Sequence, residues 1–322
     1  MKILFTADLH GKIRLYEEMF DIAIDEDVDV ILLGGDLFPT RLGSLVHLIT
    51  GTLDFNVSLK NQYTFIDSYL RPSIDKFKEK MPSTQILYIP GNHDWKVTIE
   101  YLMRNKNVAC IHGRNVEIEG ITFTGYGCVT DSFFWVKDFV RRDTPSEKIS
   151  IESRYPCLSS AAGITMANDT GYLTERPSIE EELRDIKIGD PSSTVCMFHD
   201  PPFDTGLDTL FNGKPIGSKA IRRFIEEKKP LVSLHGHIHE APYVSGQYWT
   251  RLGNTLCINP GHDRDILHAV ILDTDDPYGS LYHSVFGRSR PAKPWLKATA
   301  ERYLRYVKSK AGDMILSKHA FS

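Results

Sequence analysis

The chain has 322 residues, of which 41% are hydrophobic and 25% are charged. This composition is typical of a globular protein with a sizeable core, and it excludes a largely disordered or collagen-like chain. The formal net charge of −4 argues against a surface devoted to long stretches of nucleic acid, for which a strongly basic domain is expected. The charge is unevenly distributed, because residues 288–322 contain nine Lys/Arg and two Asp/Glu.

The sequence contains no apolar run near the roughly 18 residues that a membrane-spanning helix needs. Its first eight residues lack the longer apolar region of a signal peptide. The five cysteines are widely spaced, odd in number and form no C-x-x-C pair. Such cysteines are typical of reduced thiols in a reducing compartment. We therefore expect a cytoplasmic protein without membrane contact.

Short apolar runs alternate with helical patterns in the first hundred residues. Buried strands are predicted at residues 3–7, 28–33 and 85–89, and a helix with apolar residues on one face begins near Ile13. Continuous apolar strands that are separated by helices are typical of parallel sheets. The sequence thus predicts an α/β fold.

After Asn107 the predicted strands become shorter and are separated by Asn/Gly turns, which indicates antiparallel pairing. These short strands are predicted at residues 108–111, 116–118 and 121–124. Further strands are predicted at residues 194–198, 231–234, 255–258, 268–272 and 281–286. The later strands again suit a sheet that is covered by helices.

Two stretches interrupt this pattern. Residues 42–80 are predicted as a loop followed by a helix, and residues 128–190 have weak periodicity with one helix, which opens in a capping box at Ser178. We interpret residues 1–290 as one domain with these two insertions. Residues 291–322 are interpreted as a basic helical extension, which we expect to dock on the acidic body of the chain or on a second copy in a homo-oligomer.

Five short polar motifs follow predicted strands. They are Asp8-Leu9-His10, Gly34-Gly35-Asp36, Gly91-Asn92-His93-Asp94, His199-Asp200 and His235-Gly236-His237-Ile238-His239. Ligands of open α/β sheets bind beyond the carboxyl ends of the strands, so these side chains are expected to meet at one edge. Carboxylates, an amide oxygen and imidazoles suit Mn, Fe, Co, Ni or Zn. Seven such ligands favour two ions that share one carboxylate.

The ordered set Asp-x-His, Gly-Asp, Gly-Asn-His-Asp, His and Gly-His-x-His resembles the signature of the calcineurin-like metallophosphoesterase superfamily. The resemblance extends over about residues 1–287. It implies a four-layer α/β/β/α sandwich of two mixed β-sheets, with a dimetal site at the carboxyl ends of the strands. It also implies hydrolysis of phosphoesters by attack of a hydroxide held between the metals.

The resemblance further implies a role for each residue of the motifs. The first metal would be held by Asp8, His10 and His239. The second metal would be held by Asn92, His199 and His237. Asp36 would bridge the two ions, and His93 would act as general acid or stabilise the developing charge. The implied cofactors are two divalent ions, for which we favour manganese.

Three residues outside the motifs are weaker candidates for substrate contacts: Arg41, Phe203 and His262. Arg41 lies five residues beyond Asp36, Phe203 follows a Pro-Pro pair, and His262 ends an Asn-Pro-Gly turn. For each of them a purely structural role is the alternative interpretation.

An aromatic run, Phe133-Phe134-Trp135, lies within the second insertion. One interpretation is an aromatic wall for a nucleobase or an aryl leaving group. The other, which the sequence favours, is a hydrophobic cluster beneath the insertion.

The substrate class is indicated by one departure from the superfamily. Its protein Ser/Thr phosphatases have an acid and an arginine three and four residues after the bridging Asp, where this chain has Pro39 and Thr40. The sequence is more similar to the prokaryotic-type small phosphoesterases and phosphodiesterases. We therefore predict a hydrolase of small phosphodiesters or phosphomonoesters, nucleotide-derived ones included. The alternatives are a nuclease or a protein phosphatase of the same superfamily, or a non-catalytic protein-interaction scaffold.

Overall fold

The computed structural model describes residues 1–40, 55–149, 153 and 155–288. The candidate contact Arg41 and the predicted extension over 291–322 lie outside the described residues. Within the described ranges, no helix combines the length and the apolar character that crossing a membrane requires.

Strands and helices alternate along the described residues. The strands are β1 (Lys2–Thr6), β2 (Val30–Leu33), β3 (Gln85–Tyr88), β4 (Ala109–Cys110), β5 (Asn115–Ile118), β6 (Ile121–Tyr126), β7 (Val129–Thr130), β8 (Val140–Arg141), β9 (Cys157–Ser160), β10 (Gly163–Met166), β11 (Thr194–Phe198), β12 (Val232–Leu234), β13 (Trp249–Leu252), β14 (Thr255–Ile258), β15 (Ala269–Asp273) and β16 (Tyr282–His283). The helices are α1 (Ile13–Asp25), α2 (Phe55–Phe65), α3 (Arg71–Lys80), α4 (Lys96–Leu102), α5 (Gly171–Thr174), α6 (Ile179–Arg184), α7 (Lys219–Lys228), α8 (Ala241–Ser245) and α9 (Pro277–Ser280).

Two six-stranded mixed sheets form the centre of the fold. The first sheet has the order β16-β15-β1-β2-β3-β4, and the second has the order β13-β14-β12-β11-β6-β5. In the first sheet β1 to β4 run parallel, and in the second β6, β11, β12 and β14 do so. The parallel strands therefore end together at one edge of each sheet.

The two faces of β1 show how the layers form. Ile3 and Phe5 point to one face and share a buried cluster with Val232 of the second sheet. Leu4 points to the opposite face and shares a cluster with Tyr16 of α1. This alternation follows from the two-residue period of a strand, and each fully buried apolar side chain contributes roughly 1.5–3 kcal/mol.

The outer face of the second sheet is covered in the same way. Phe198 of β11 packs edge-on against Phe224 of α7, with the ring centres 5.6 Å apart. Helices thus cover the outer faces of two sheets that pack face to face, and the predicted four-layer α/β/β/α fold is confirmed.

The described part of the first insertion is helical as predicted, whereas the second insertion contains more regular structure than the sequence predicts. In the first, a π-helical segment (Ile66–Leu70) joins α2 to α3, so that helix extends from Phe55 to Lys80. The second contains β7 to β10 and two helices instead of one helix. Its strands have two to four residues each, which is too short for a periodic pattern to be visible. The prediction of a strand over 281–286 is also too long, since β16 has two residues.

The capping box predicted at Ser178 is present at the start of α6. The Ser178 hydroxyl accepts a hydrogen bond from the Glu181 amide at 3.3 Å, and the Glu181 carboxylate accepts one from the Ser178 amide at 2.8 Å. The bonds satisfy amide groups that the first turn of a helix leaves without partners.

We expect Ser178→Ala to lower the free energy of unfolding by about 1 kcal/mol, because the cap bond is lost. Urea denaturation measures this change. The matched control is Ser83→Ala in an exposed loop, which should stay within about 0.5 kcal/mol of the wild type. Equal losses in the two variants would contradict a stabilising role for the box.

Candidate metal centre

The carboxyl ends of five strands bring the predicted motifs together. Asp8 follows β1, Asp36 follows β2, and Asn92 follows β3, while His199 follows β11 and His237 follows β12. The site is therefore built by both sheets. The ligating atoms of one compact group all lie within 4.8 Å of one another, and this group consists of Asp8, His10, Asp36 and His239.

Three distances define the side of the cluster that was predicted to hold the first metal. Asp8 Oδ1 lies 3.2 Å from His239 Nε2, and His239 Nε2 lies 3.4 Å from His10 Nε2. His10 Nε2 lies 3.8 Å from Asp36 Oδ2. These side chains thus surround one small volume.

The other side of the cluster is centred on His199. Its Nε2 lies 3.2 Å from Asn92 Oδ1 and 3.5 Å from Asp36 Oδ1. The His237 ring lies 5.3 Å from the His199 ring, between ring centres. Asp36 directs one carboxylate oxygen toward His199 and the other toward His10, so it lies between the two groups.

The backbone at the candidate ligands has an uncommon conformation. Four of them have positive φ angles: Asp8 (61°), His10 (47°), Asp36 (53°) and His237 (65°). Non-glycine residues adopt this region at an energetic cost, and such residues concentrate at functional sites. Hydrogen bonds join the loop after β1 to the loop after β2. The Asp8 amide donates to the Gly35 carbonyl at 2.9 Å, and the His10 amide donates to the Asp36 carbonyl at 2.8 Å.

Glycine is required at position 91 because the side chains of Asp36 and His199 lie close to its backbone. A Cβ atom there would lie 2.2 Å from Asp36 Oδ1 and 2.7 Å from His199 Nε2. Both atoms belong to the cluster, so a side chain at Gly91 would displace the groups that hold it together.

Backbone amides fix the two buried carboxylates. The His93 amide donates a hydrogen bond to Asp36 Oδ1 at 2.7 Å, and the His237 amide donates one to Asp8 Oδ2 at 3.0 Å. Each carboxylate keeps lone pairs that face the imidazoles.

The electrostatics of the cluster favour bound cations. Burial lowers the pKa of His10 and of His237 to about 3, so both rings stay neutral and can offer a lone pair. Burial also opposes a charge on His199, yet the carboxylates of Asp36 and Asp8 raise its pKa to about 10. The carboxylates thus attract positive charge strongly enough to hold a proton on a buried ring.

The donor set fits metal ions. Imidazole nitrogens and carboxylate oxygens ligate first-row divalent ions at about 2.0–2.2 Å, which places neighbouring ligand atoms about 3.0–3.5 Å apart. The distances of 3.2–3.5 Å within each group have this spacing. The His/Asp cluster can therefore bind metal.

His93 lies at the edge of the cluster. Its Nε2 is 4.0 Å from Asp36 Oδ2, and its ring is 5.4 Å from the His10 ring. The ring packs edge-on against Phe134, with the centres 4.5 Å apart. His93 is thus close enough to act on a molecule held at the cluster.

The two described substrate-contact candidates occupy different places. The His262 ring lies 4.8 Å from that of His239 and 5.5 Å from that of His10, so the structure brings it to the site. Phe203 lies against the start of α7, where the Lys219 ammonium is 5.1 Å from its ring centre.

Gln62 is a residue of the site that the sequence analysis missed. This buried side chain of α2 donates a hydrogen bond to the His93 carbonyl at 2.8 Å. Its amide oxygen accepts hydrogen bonds from the Trp95 amide at 3.1 Å and the Thr98 hydroxyl at 2.7 Å. No sequence signal distinguishes a lone glutamine in a helix, so only the folded insertion reveals this contact.

Asp94, the last residue of the Gly-Asn-His-Asp motif, has a structural role that the sequence did not predict. Its carboxylate accepts hydrogen bonds from the amides of Leu37 and Phe38, both at 3.0 Å, and of Gly91 at 2.9 Å. It therefore joins the loop after β2 to the loop after β3. Burial raises its pKa to about 7.

The family of the chain is shown by comparison with known protein families. The calcineurin-like phosphoesterase family matches residues 1–241. The chain belongs to this family. It is accordingly a phosphoric ester hydrolase, and the family resemblance inferred from the motifs is confirmed.

Three solved structures are similar to this phosphoesterase. One crystal structure superimposes with a TM-score of 0.54 at 16% identity, over 89% of this chain and 99% of the other. The protein TT1561 of Thermus thermophilus is similar at 18% identity, with a TM-score of 0.47 and coverage of 88% and 97%. A dimetal phosphatase from Danio rerio is similar at 10% identity, with a TM-score of 0.45 and coverage of 84% and 91%. No curated protein matches the sequence of this phosphoesterase.

We expect Asp36→Asn to reduce metal binding by this phosphoesterase, because a carboxylate between both groups of ligands is lost. The measurements are metal content by elemental analysis and the melting temperature with and without Mn²⁺. An ion that binds only the folded wild type at 100 times its Kd stabilises it by about 2.7 kcal/mol. The variant should lose most of that gain.

Asp27→Asn is the matched control for this experiment. Asp27 is exposed at the end of α1 and has a positive φ of 48°, close to the 53° of Asp36. This variant should keep the metal content of the wild type. If Asp36→Asn also kept it, the carboxylate would not be a ligand.

Proposed function

We propose that this chain hydrolyses small phosphodiesters or phosphomonoesters, nucleotide-derived ones among them. The observation that carries the proposal is the position of the Asp36 carboxylate between two groups of candidate ligand atoms. His93 lies beside the same carboxylate, with its Nε2 atom 4.0 Å from Asp36 Oδ2. We take residues 1–290 as one domain, since motifs from Asp8 to His239 contribute to this single cluster.

The proposed cofactors are two divalent ions, preferentially manganese. One ion would be held by Asp8, His10 and His239. The other would be held by Asn92, His199 and His237. Asp36 would serve both. When bound, such a pair stabilises charge on the phosphoryl oxygens and supplies a strong nucleophile at neutral pH.

The proposed role of His93 is to give a proton to the departing oxygen. Three contacts hold its position. The His93 amide donates a hydrogen bond to Asp36 Oδ1 at 2.7 Å, and the His93 carbonyl accepts one from the Gln62 side chain at 2.8 Å. The His93 ring packs against Phe134. A general acid needs to be within hydrogen-bond reach of the atom that it protonates, and a fixed ring at the edge of the cluster meets that need.

Two further residues support a small substrate. We propose that His262, which is 8% exposed between His10 and His239, contacts the phosphoryl group. Pro39 stands where protein phosphatases of the superfamily have an acid, which disfavours a phosphoprotein substrate. The net charge of −4 disfavours extended nucleic acid as substrate.

The convergence of all seven candidate ligands and His93 disfavours a scaffold without catalysis. We also propose a reducing compartment such as the cytoplasm. Its support is that all five cysteines are free and four of them are buried.

We expect His93→Asn to lower kcat by about 10²–10⁴-fold for phosphoesters with an alkyl leaving group, because the general acid is lost. The loss should be smaller for the p-nitrophenyl ester, whose leaving group departs without a proton. Steady-state kinetics on both esters with Mn²⁺ measure this difference.

Elemental analysis supplies the control for this experiment, since the variant should retain the metal content of the wild type. An equal loss on both esters would contradict the role of proton donor. If the wild type turned over no phosphomonoester or phosphodiester, the proposed function itself would be wrong.

A further inference from the structure

An aromatic surface begins at the candidate general acid and ends in solvent. The Phe134 ring packs edge-on against His93 at 4.5 Å, and the Phe133 ring stacks at a tilt of 35° on Phe134 at 4.3 Å. Phe133 is 59% exposed. We call Phe133 and Phe134 the aromatic platform.

The third aromatic residue of this run has a different role. The Trp135 ring lies 5.0 Å from Phe55 and 5.6 Å from Trp95, between ring centres. Trp135 therefore belongs to the hydrophobic cluster beneath the insertion, together with buried Val136. The interpretation as a hydrophobic cluster therefore holds for Trp135, and it does not account for the exposed ring of Phe133.

The loop that presents the aromatic platform is held by a buried ion pair. The Lys137 ammonium donates to Asp131 Oδ1 at 2.5 Å and to the Ser132 carbonyl at 2.6 Å. Asp131 Oδ2 accepts a hydrogen bond from the Tyr172 hydroxyl at 3.2 Å. Because Lys137 is fully buried, these contacts fix the loop immediately before Phe133.

An exposed phenylalanine on a fixed loop beside a polar cluster indicates a binding surface. The exposed Phe133 ring and the half-buried Phe134 ring form one continuous apolar surface, and continuous apolar surface beside polar groups is typical of ligand sites. Aromatic rings prefer tilted or offset packing at centre distances of about 4.5–7 Å, and the outer face of Phe133 is available for another ring.

The position of His93 determines which part of a substrate would meet this surface. A general acid protonates the oxygen of the leaving group, so the leaving group must extend past His93. From there the structure offers Phe134 and then Phe133. The phosphoryl group would then remain on the Asp36 side of His93, where the two side chains are 4.0 Å apart.

We propose that the aromatic platform binds the nucleobase of a nucleotide whose nucleoside is the leaving group, and so selects the substrate. This inference rests on the proposed function for the direction in which the leaving group departs. A ring stacked on an aromatic side chain adds about 5- to 150-fold in affinity, judged by alanine substitution.

Two substrates with the same leaving oxygen test the proposal. Adenosine 5′-monophosphate and ribose 5-phosphate both release a primary 5′ alcohol and differ in the base. The wild type with Mn²⁺ should have the higher kcat/KM for the nucleotide. Phe133→Ala should lower the ratio of the two kcat/KM values at least about 5-fold, and Phe133→Trp should restore it.

Binding provides a readout that does not depend on turnover. Phosphonate analogues of both compounds, with a methylene in place of the ester oxygen, are titrated by calorimetry into the Mn²⁺-loaded protein. The adenosine phosphonate should bind more tightly than the ribose phosphonate, and Phe133→Ala should remove the difference. Tyr282→Ala is the matched control, because Tyr282 is also an exposed aromatic residue but lies on the edge strand β16.

The outcomes separate this inference from the proposed function. Equal affinities of the two phosphonates for the wild type, or an unchanged ratio in Phe133→Ala, would overturn the aromatic platform while leaving phosphoester hydrolysis intact. Base-dependent binding that Phe133→Ala removes, in a protein that turns over no phosphoester, would support the platform and overturn the proposed function. An equal loss in Tyr282→Ala would also overturn the platform.

Discussion

The burial of two carboxylates in one cluster is the constraint on which the rest of the structure depends. Asp8 and Asp36 are 0% and 1% exposed, and an ionised carboxylate without partners is costly to bury. Amides of His237 and His93 and the surrounding imidazoles compensate that cost. Because these groups follow strands of both sheets, the sheets must pack face to face with their carboxyl ends together.

The backbone of the cluster is strained at the candidate ligands. Each non-glycine residue in the left-handed region costs about 1 kcal/mol or more, and four candidate ligands are held there. The Asp94 carboxylate and the bonds between the loops after β1 and β2 keep those conformations in place. The sheet core thus stabilises the strained loops that carry the candidate ligands.

The site was predictable from the sequence wherever a ligand follows a buried strand. Residues such as Asp8 and His199 come directly after continuous apolar runs, and the α/β pattern places those runs in parallel sheets. Gln62 and the contact of Phe134 with His93 could not be predicted, because both depend on how the insertions fold back on the core. The strands of the second insertion were not predicted because two to four residues are too few to show a periodic pattern.

The hydrogen bond from Gln62 to the His93 carbonyl means that the first insertion is not a detachable module. In this chain, a transplanted segment without an amide at the same place would leave the His93 carbonyl unpaired, together with the Trp95 amide. The first insertion thus holds the backbone of His93, while the second insertion packs Phe134 against the ring of the same residue. Exchange of either segment would therefore disturb His93 from a different side.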